Sequence, residues 1–222
     1  MPVAIITGGT RGLGRALARD LVSDRWHVIV DARHLTDLPT GVIGIEGDVT
    51  DPAHRVRLVD EARSVGRLDL LVNNASVLGP SPLPHLRDHA LDAFEEVLRV
   101  NVVAPLGLIQ LARPLLVASR GAVLNITSDA SVEGYEGWGG YGSSKAALDQ
   151  LSNVLAAEEP DLRVWAFDPG DMRTQMHQDA FPGEDISDRP LPETVVPAIR
   201  RLLDDRPPSG RVRAADLAVV TS

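Results

Sequence analysis

The segment Thr7-Gly-Gly-Thr-Arg-Gly-Leu-Gly14 constrains this chain more than any other, because it lies between the apolar run Val3 to Ile6 and leucines at 13, 17 and 21. A short apolar run reads as a buried strand, and leucines four apart mark one face of a helix. A strand, a tight glycine turn and a helix form the first half of a βαβ unit. Parallel strands need such crossovers, so the turn commits the chain to a parallel sheet covered by helices on both faces.

The rest of the sequence keeps the alternation. Strands are expected at Trp26 to Val30, Val42 to Glu46, Leu68 to Val72, Ala122 to Thr127, Arg163 to Phe167 and about Arg211 to Ala214. The crossover His34 to Thr40 leaves room for about one helical turn. Asp51 caps a helix with Pro52 at its first position, and a further helix runs from about Leu91 through Leu106 to Val117. The segment after Gly134 to Gly140 is helical, Met172 to Pro190 reads as a polar loop, and Glu193 to Leu203 as a helix. The expectation is a single α/β domain over residues 1–222, a doubly wound Rossmann fold with a seven-stranded, mostly parallel sheet.

Composition removes several function classes. With 44% hydrophobic and 24% charged residues the balance is that of a soluble globular protein. A formal net charge of -9 argues against nucleic acid as a partner, since phosphate binding needs a concentrated basic face. Val102 to Ala112 is interrupted by Pro105 and Gln110, so no membrane span is expected. The absence of cysteine removes thiol and disulfide chemistry, and a strand in place of a leader at the amino terminus makes a cytoplasmic location the expectation. The six histidines include the pair His85 and His89 but complete no metal motif, so no metal site is expected.

Chemistry concentrates at three places. The first turn of a helix behind a glycine loop presents free N–H groups and a positive dipole end to a pyrophosphate, here through Gly8, Thr10, Arg11, Gly12, Leu13 and Gly14. Gly9 and Gly14 also fit the spacing of a nucleoside triphosphate loop, but Arg15 and Ala16 follow where lysine and a hydroxyl residue are needed. Tyr141 and Lys145 are four apart in a helix and so share one face, where an ammonium can lower the pKa of a phenol that otherwise titrates near 10. Ser128 closes a strand thirteen positions before that tyrosine.

Taken together these motifs resemble the short-chain dehydrogenase/reductase family in its compact form, over essentially the whole chain. The family's Thr-Gly-x3-Gly-x-Gly matches Thr7 to Gly14, and its Asn-Asn-Ala-Gly matches Asn73 to Ser76 with serine in place of the last glycine. Its catalytic asparagine, serine, tyrosine and lysine fall on Asn101, Ser128, Tyr141 and Lys145, and its Pro-Gly-x3-Thr on Pro169, Gly170 and Thr174. The resemblance implies that Tyr141 exchanges a proton with a carbonyl or alcohol oxygen and that Ser128 steadies that oxygen. It further implies that Lys145 holds the nicotinamide ribose and that Asn101 keeps a water in a proton relay. Asp48 and Val49 would contact the adenine, with Asn74, Ala75 and Met172 as further cofactor contacts. Ser76 would be costly if its backbone needed positive φ.

Cofactor choice is read just past the second strand, at Val30-Asp31-Ala32-Arg33. The acid that selects NAD(H) would fall on Ala32, while Arg33 and Arg11 suit the 2'-phosphate of NADP(H), so NADP(H) is favoured. A shift of the strand end by one residue would put Asp31 in the selecting place and favour NAD(H). Two other readings stay open: a protein that senses NADP(H) without turnover, and an epimerase or dehydratase of the same superfamily, against which stands that only 81 residues follow Tyr141. The substrate is expected to be a small or medium carbonyl or alcohol, bound between Ser128 to Tyr135, Trp138, Leu78 to Leu83 and a polar segment after Thr174. A homodimer or homotetramer is expected, with Ala146, Ala147, Leu148 and Leu151 in the seam.

Overall fold

A computed structural model describes residues 1–35 and 38–217. Seven strands form one sheet in the order β3-β2-β1-β4-β5-β6-β7, with every neighbouring pair parallel. They are β1 (Val3–Ile6), β2 (His27–Ala32), β3 (Val42–Glu46), β4 (Leu70–Asn73), β5 (Ala122–Ile126), β6 (Arg163–Asp168) and β7 (Gly210–Arg213). The helices are α1 (Gly12–Ser23), α2 (Pro52–Val65), α3 (Leu91–Leu98), α4 (Ala104–Ser119), α5 (Gly139–Glu158), α6 (Gln175–Ala180), α7 (Val196–Asp205) and α8 (Ala214–Leu217).

Alternation along each strand divides the core in two. Ala4, Ile6, Val28 and Val30 face α1 and α7 through Leu13, Leu17, Leu21, Ile199 and Leu202. Val3, Ile5 and Ile29 face α2 and α4 through Leu58, Val59, Leu108, Ile109 and Leu116, with Leu151 and Leu155 of α5 packed on the same side. Both faces of the strands are therefore apolar, as a covered parallel sheet requires.

The winding reverses between β1 and β4, and in open parallel sheets the crevice lies outside the carboxyl ends of the strands at that reversal. The glycine turn after β1 and Asn74 to Ser76 after β4 consequently meet. Thr7 locks them, its Oγ1 accepting from the N–H groups of Asn74 and Ala75, each at 3.0 Å. The Asn74 side chain donates to the carbonyls of Thr7 and Gly8 at 2.8 and 3.2 Å. Gly14 is required by this contact, because a Cβ there would sit 2.5 Å from Asn74 Nδ2 and from the Gly8 carbonyl oxygen.

Two sequence expectations about the helices change. The polar loop after Met172 contains α6, capped by Thr174, whose Oγ1 accepts from the His177 N–H at 3.2 Å. The helix expected at 193–203 splits into a 3-10 turn, Pro192–Thr194, followed by α7. The crossover between β2 and β3 includes residues 36 and 37, which lie outside the described residues, and its remainder is irregular. The run Leu91–Ser119, with mean hydropathy 1.6 over its most apolar window, is long and apolar enough to cross a membrane by length and composition alone. Its Leu108, Ile109, Ala112 and Leu116 nevertheless lie buried against the sheet.

Candidate active site and cofactor cleft

A cleft of about 490 Å³ opens along the carboxyl ends of the strands. All the expected catalytic and cofactor residues line it except Gly14, which packs beneath the turn, and Asn101, which stands behind the wall. At the amino end of α1 the N-cap residue Arg11 makes no side-chain cap bond, so the first N–H groups of that helix are left for whatever occupies the cleft. Gly12 has φ +53, and a Cβ there would meet nothing nearer than Thr174 Cγ2 at 3.6 Å. This open, left-handed turn under a free helix end fits a dinucleotide pyrophosphate.

Further along, β2 continues two residues past Val30, so Asp31 belongs to the strand. Its carboxylate is buried, accepting from the Gly8 N–H at 2.7 Å and contacting His54 Nε2 at 3.0 Å. Arg33 is exposed on the cleft wall beside His34, with Arg11 on the same wall. The Asp48 carboxylate also lines the cleft and accepts from both the N–H and the hydroxyl of Thr50 at 2.8 and 2.7 Å, so it forms a turn as well.

At the other end Tyr141, Ser128 and Lys145 converge. Helix α5 starts two residues before Tyr141, at Gly139, and buries both Tyr141 and Lys145. The Ser128 and Ser76 side chains lie close enough to the Tyr141 hydroxyl to act on its acidity. Ser128 Oγ donates to Asp129 Oδ1 at 2.9 Å, and the other Asp129 oxygen accepts from the Tyr135 hydroxyl at 3.0 Å. Lys145 Nζ donates to the Ile126 carbonyl at 2.8 Å and lies 5.3 Å from the centroid of the Tyr141 ring.

The expected effect of the ammonium on the phenol is not what governs this arrangement. Burial raises the Tyr141 pKa well above its ordinary value, the Asp129 and Asp168 carboxylates raise it further, and the Ser128 and Ser76 hydroxyls pull it down. Lys145 is itself pushed down to about 8 by burial, against an upward pull from Asp149. Both shifts follow from desolvation, which disfavours a charged phenolate and a charged ammonium alike.

Asn101 sits in a π-helical stretch, Arg99–Val103, between α3 and α4. Pro105 explains the stretch: its ring would clash with the carbonyl four residues back, at Asn101, and it has no N–H to donate. The Asn101 amide is fully used. Oδ1 accepts from the Val77 N–H at 2.9 Å and from Ser76 Oγ at 3.1 Å, while Nδ2 donates to the Val77 carbonyl at 2.9 Å and to Ser144 Oγ at 3.0 Å. It clamps the loop after β4.

Ser76 is not among the residues with positive φ, so the departure from glycine carries no backbone strain. It adds a hydroxyl between Asn101 and Tyr141 instead. Sequence reasoning also passed over Arg211 of β7, which donates to the Ser128 carbonyl at 3.1 Å and to Asp168 at 2.8 Å and so braces the site from behind. No local spacing signals it, because β7 is the last strand along the chain and lies far in sequence from Ser128.

The substrate end is less polar than expected. Met176, Ala180 and Phe181, in and just after α6, pack with Leu78, Trp138 and Tyr141. The Trp138 ring lies 5.8 Å from that of Tyr141 and 5.9 Å from that of Phe181. The acidic residues after Thr174 face outward from an apolar inner surface. Of the expected seam residues, Leu148 is buried and Leu151 packs on the core, leaving Ala146 exposed and Ala147 half-buried. Among the described residues no group of three His, Cys, Asp or Glu side chains could hold a metal.

Comparison with known proteins agrees with this geometry. The sequence model of the short chain dehydrogenase family matches residues 2–185. The chain is 34% identical over 194 residues to a benzil reductase of Saccharomyces cerevisiae described as (S)-benzoin forming, covering 80% of this chain and 74% of that protein. It is 33% identical over 186 residues to an L-fucose dehydrogenase of Mus musculus, covering 80% and 67%. Among solved structures, a short chain dehydrogenase from Shigella flexneri complexed with NADP superposes with a TM-score of 0.88 at 27% identity, covering 96% of this chain and 97% of that one. The chain belongs to the short-chain dehydrogenase/reductase family and is an oxidoreductase of that family.

Proposed function

We propose that this protein is an NADP(H)-dependent reductase or dehydrogenase of a small or medium carbonyl or alcohol compound, with Tyr141 as its general acid and base. The observation that carries the cofactor assignment is the burial of Asp31, whose two carboxylate oxygens are taken by the Gly8 N–H and His54, while Arg33 and Arg11 are the basic side chains on that wall of the cleft. The NADP complex of the Shigella relative supports the same reading.

When bound, the nicotinamide supplies or accepts the hydride. Tyr141, held protonated by burial, donates its proton to the substrate oxygen in the reductive direction. Ser128 orients that hydroxyl, with its own proton directed to Asp129. Lys145 lies beside Tyr141 with its ammonium anchored on the Ile126 carbonyl, and it is the residue that would hold the nicotinamide ribose hydroxyls. Gly170, at φ +72 next to Pro169, turns the chain so that Met172 and Thr174 come back over the cleft. Asn101 positions Ser76 and Val77 and also donates to Ser144 beside Lys145 in α5.

The apolar surface of Leu78, Trp138, Met176 and Ala180 beside Tyr141 suits a carbonyl carrying a flat or apolar group. Association into dimers or tetramers is part of the same reading, supported by the exposed Leu91, Val103, Leu106 and Val154 on α3, the π stretch, α4 and α5. The test is oxidation of NADPH and NADH with a panel that includes benzil, simple ketones, quinones and aldehydes, and reduction of NADP+ with L-fucose. Turnover with NADH exceeding that with NADPH, unaltered by Arg33→Asp, would overturn the assignment.

A further inference from the structure

Among the buried titratable groups, one cluster takes no part in proton or hydride transfer. His54 of α2 is fully buried, and its ring lies between Asp31 at the end of β2, Arg57 one turn along α2, and the backbone of Gly47 after β3. Arg57 Nη2 reaches His54 Nδ1 at 3.1 Å, and a guanidinium only donates, so Nδ1 is the accepting nitrogen. Nε2 therefore carries the proton and donates to Asp31 Oδ2 at 3.0 Å. The remaining Asp31 oxygen accepts from the Gly8 N–H at 2.7 Å.

The ring also fixes the far wall. A Cβ at position 47 would lie 2.2 Å from His54 Nδ1, so only glycine lets the chain pass, and the Gly47 N–H donates to the Ala32 carbonyl at 3.0 Å. One imidazole thus links the glycine turn, the end of β2 and the turn that carries Asp48, three pieces that surround the adenosine end of the cleft.

We infer that His54 is a specificity-determining positioning residue: by holding the Asp31 carboxylate inward, it keeps that acid away from the 2'-phosphate that Arg33 would face. Asp31 immediately precedes the place from which a carboxylate reads a ribose 2'-hydroxyl. Its two oxygens have one donor each, and loss of the His54 donor leaves a buried carboxylate oxygen unpaired, an arrangement relieved by turning outward. Turned outward, the acid repels a 2'-phosphate and accepts from a 2'-hydroxyl.

The inference rests on the NADP(H) reading, and the two are separated by one set of measurements. Dissociation constants of NADPH and NADH are obtained by fluorescence titration for the natural protein, His54→Leu, His54→Asn, His54→Gln and the double variant His54→Leu with Asp31→Ala. The natural protein alone tests the cofactor reading, which fails if NADH binds at least as tightly as NADPH. The role of His54 is tested by the change in the ratio. His54→Leu, and His54→Asn as a shorter polar replacement should the leucine variant not fold, lower the preference for NADPH by about tenfold or more, the size of one lost bond to a buried charge. His54→Gln, whose amide can still donate to Asp31, keeps the ratio, and Asp31→Ala restores it in the leucine background. A ratio unmoved in both His54→Leu and His54→Asn, with the two affinities falling together, overturns the inference and leaves His54 a packing residue.

Discussion

The Lys145 ammonium donates to the carbonyl of Ile126 at 2.8 Å, which ties the helix bearing the Tyr-x3-Lys pair to the end of β5. The lysine thus has a structural partner of its own, and the acidity of Tyr141 is governed by burial, by the Asp129 and Asp168 carboxylates and by the Ser128 and Ser76 hydroxyls. Consequences for pH follow from the opposite shifts of the two groups.

Lys145 titrates near 8 in the folded protein against 10.5 when unfolded, so between these values the unfolded chain holds the extra proton. Stability therefore rises with pH across that window, by on the order of 3 kcal/mol for this group alone. Tyr141 has the reverse sign: its raised pKa adds stability below about 10 that is lost as pH climbs past its folded value. Melting temperatures from pH 7 to 9.5 should rise for the natural protein relative to Lys145→Met. NADPH affinity should weaken as the pH passes 8 and the ammonium discharges, and the same variant should bind weakly without that dependence.

Arg33 is exposed at the ribose end while Asp31 is buried. Arg33→Ser should weaken NADPH binding about tenfold to a hundredfold, as expected for loss of a charge-assisted bond to a phosphate, and leave NADH binding within a factor of about two. Equal losses for both cofactors, measured by titration calorimetry, would place the arginine elsewhere in recognition.

Ser76 and Asn101 should separate chemistry from stability. Ser76→Gly restores the family's residue but removes a hydroxyl that pulls the Tyr141 pKa down, so kcat should fall about threefold to tenfold with little change in melting temperature. Asn101→Ala leaves the Val77 N–H and carbonyl without their partners and should cost about 2 to 4 kcal/mol in denaturant unfolding. An Asn101→Ala protein as stable as the natural one would show that the clamp contributes nothing.

Much of this was legible in the chain itself. Val3 to Ile6 and Val42 to Glu46 are strands at the expected residues, because their apolar runs are bounded by glycine or acidic turns. The apolar run alone ends β2 at Val30, since Asp31 is polar and its burial depends on His54 and Gly8, which approach only in the folded sheet. Helix α6 reads as loop in the sequence because Gln175, His177, Gln178 and Asp179 dominate it, although Thr174 as a cap and Met176 with Ala180 one turn apart carry its signal. The expected catalytic and cofactor residues other than Gly14 and Asn101 line the cleft. What surrounds them, such as Arg211 behind Ser128, depends on long-range contacts that no local pattern encodes.

The central claim is that the phenol of Tyr141 passes the proton that accompanies hydride transfer. Its most direct test is single-turnover oxidation of bound NADPH by a carbonyl substrate in Tyr141→Phe, alongside the NADPH dissociation constant of the same protein. The account predicts a rate lower by about a hundredfold to ten-thousandfold with the dissociation constant within about threefold of the natural value. An unchanged rate at full NADPH occupancy would contradict it.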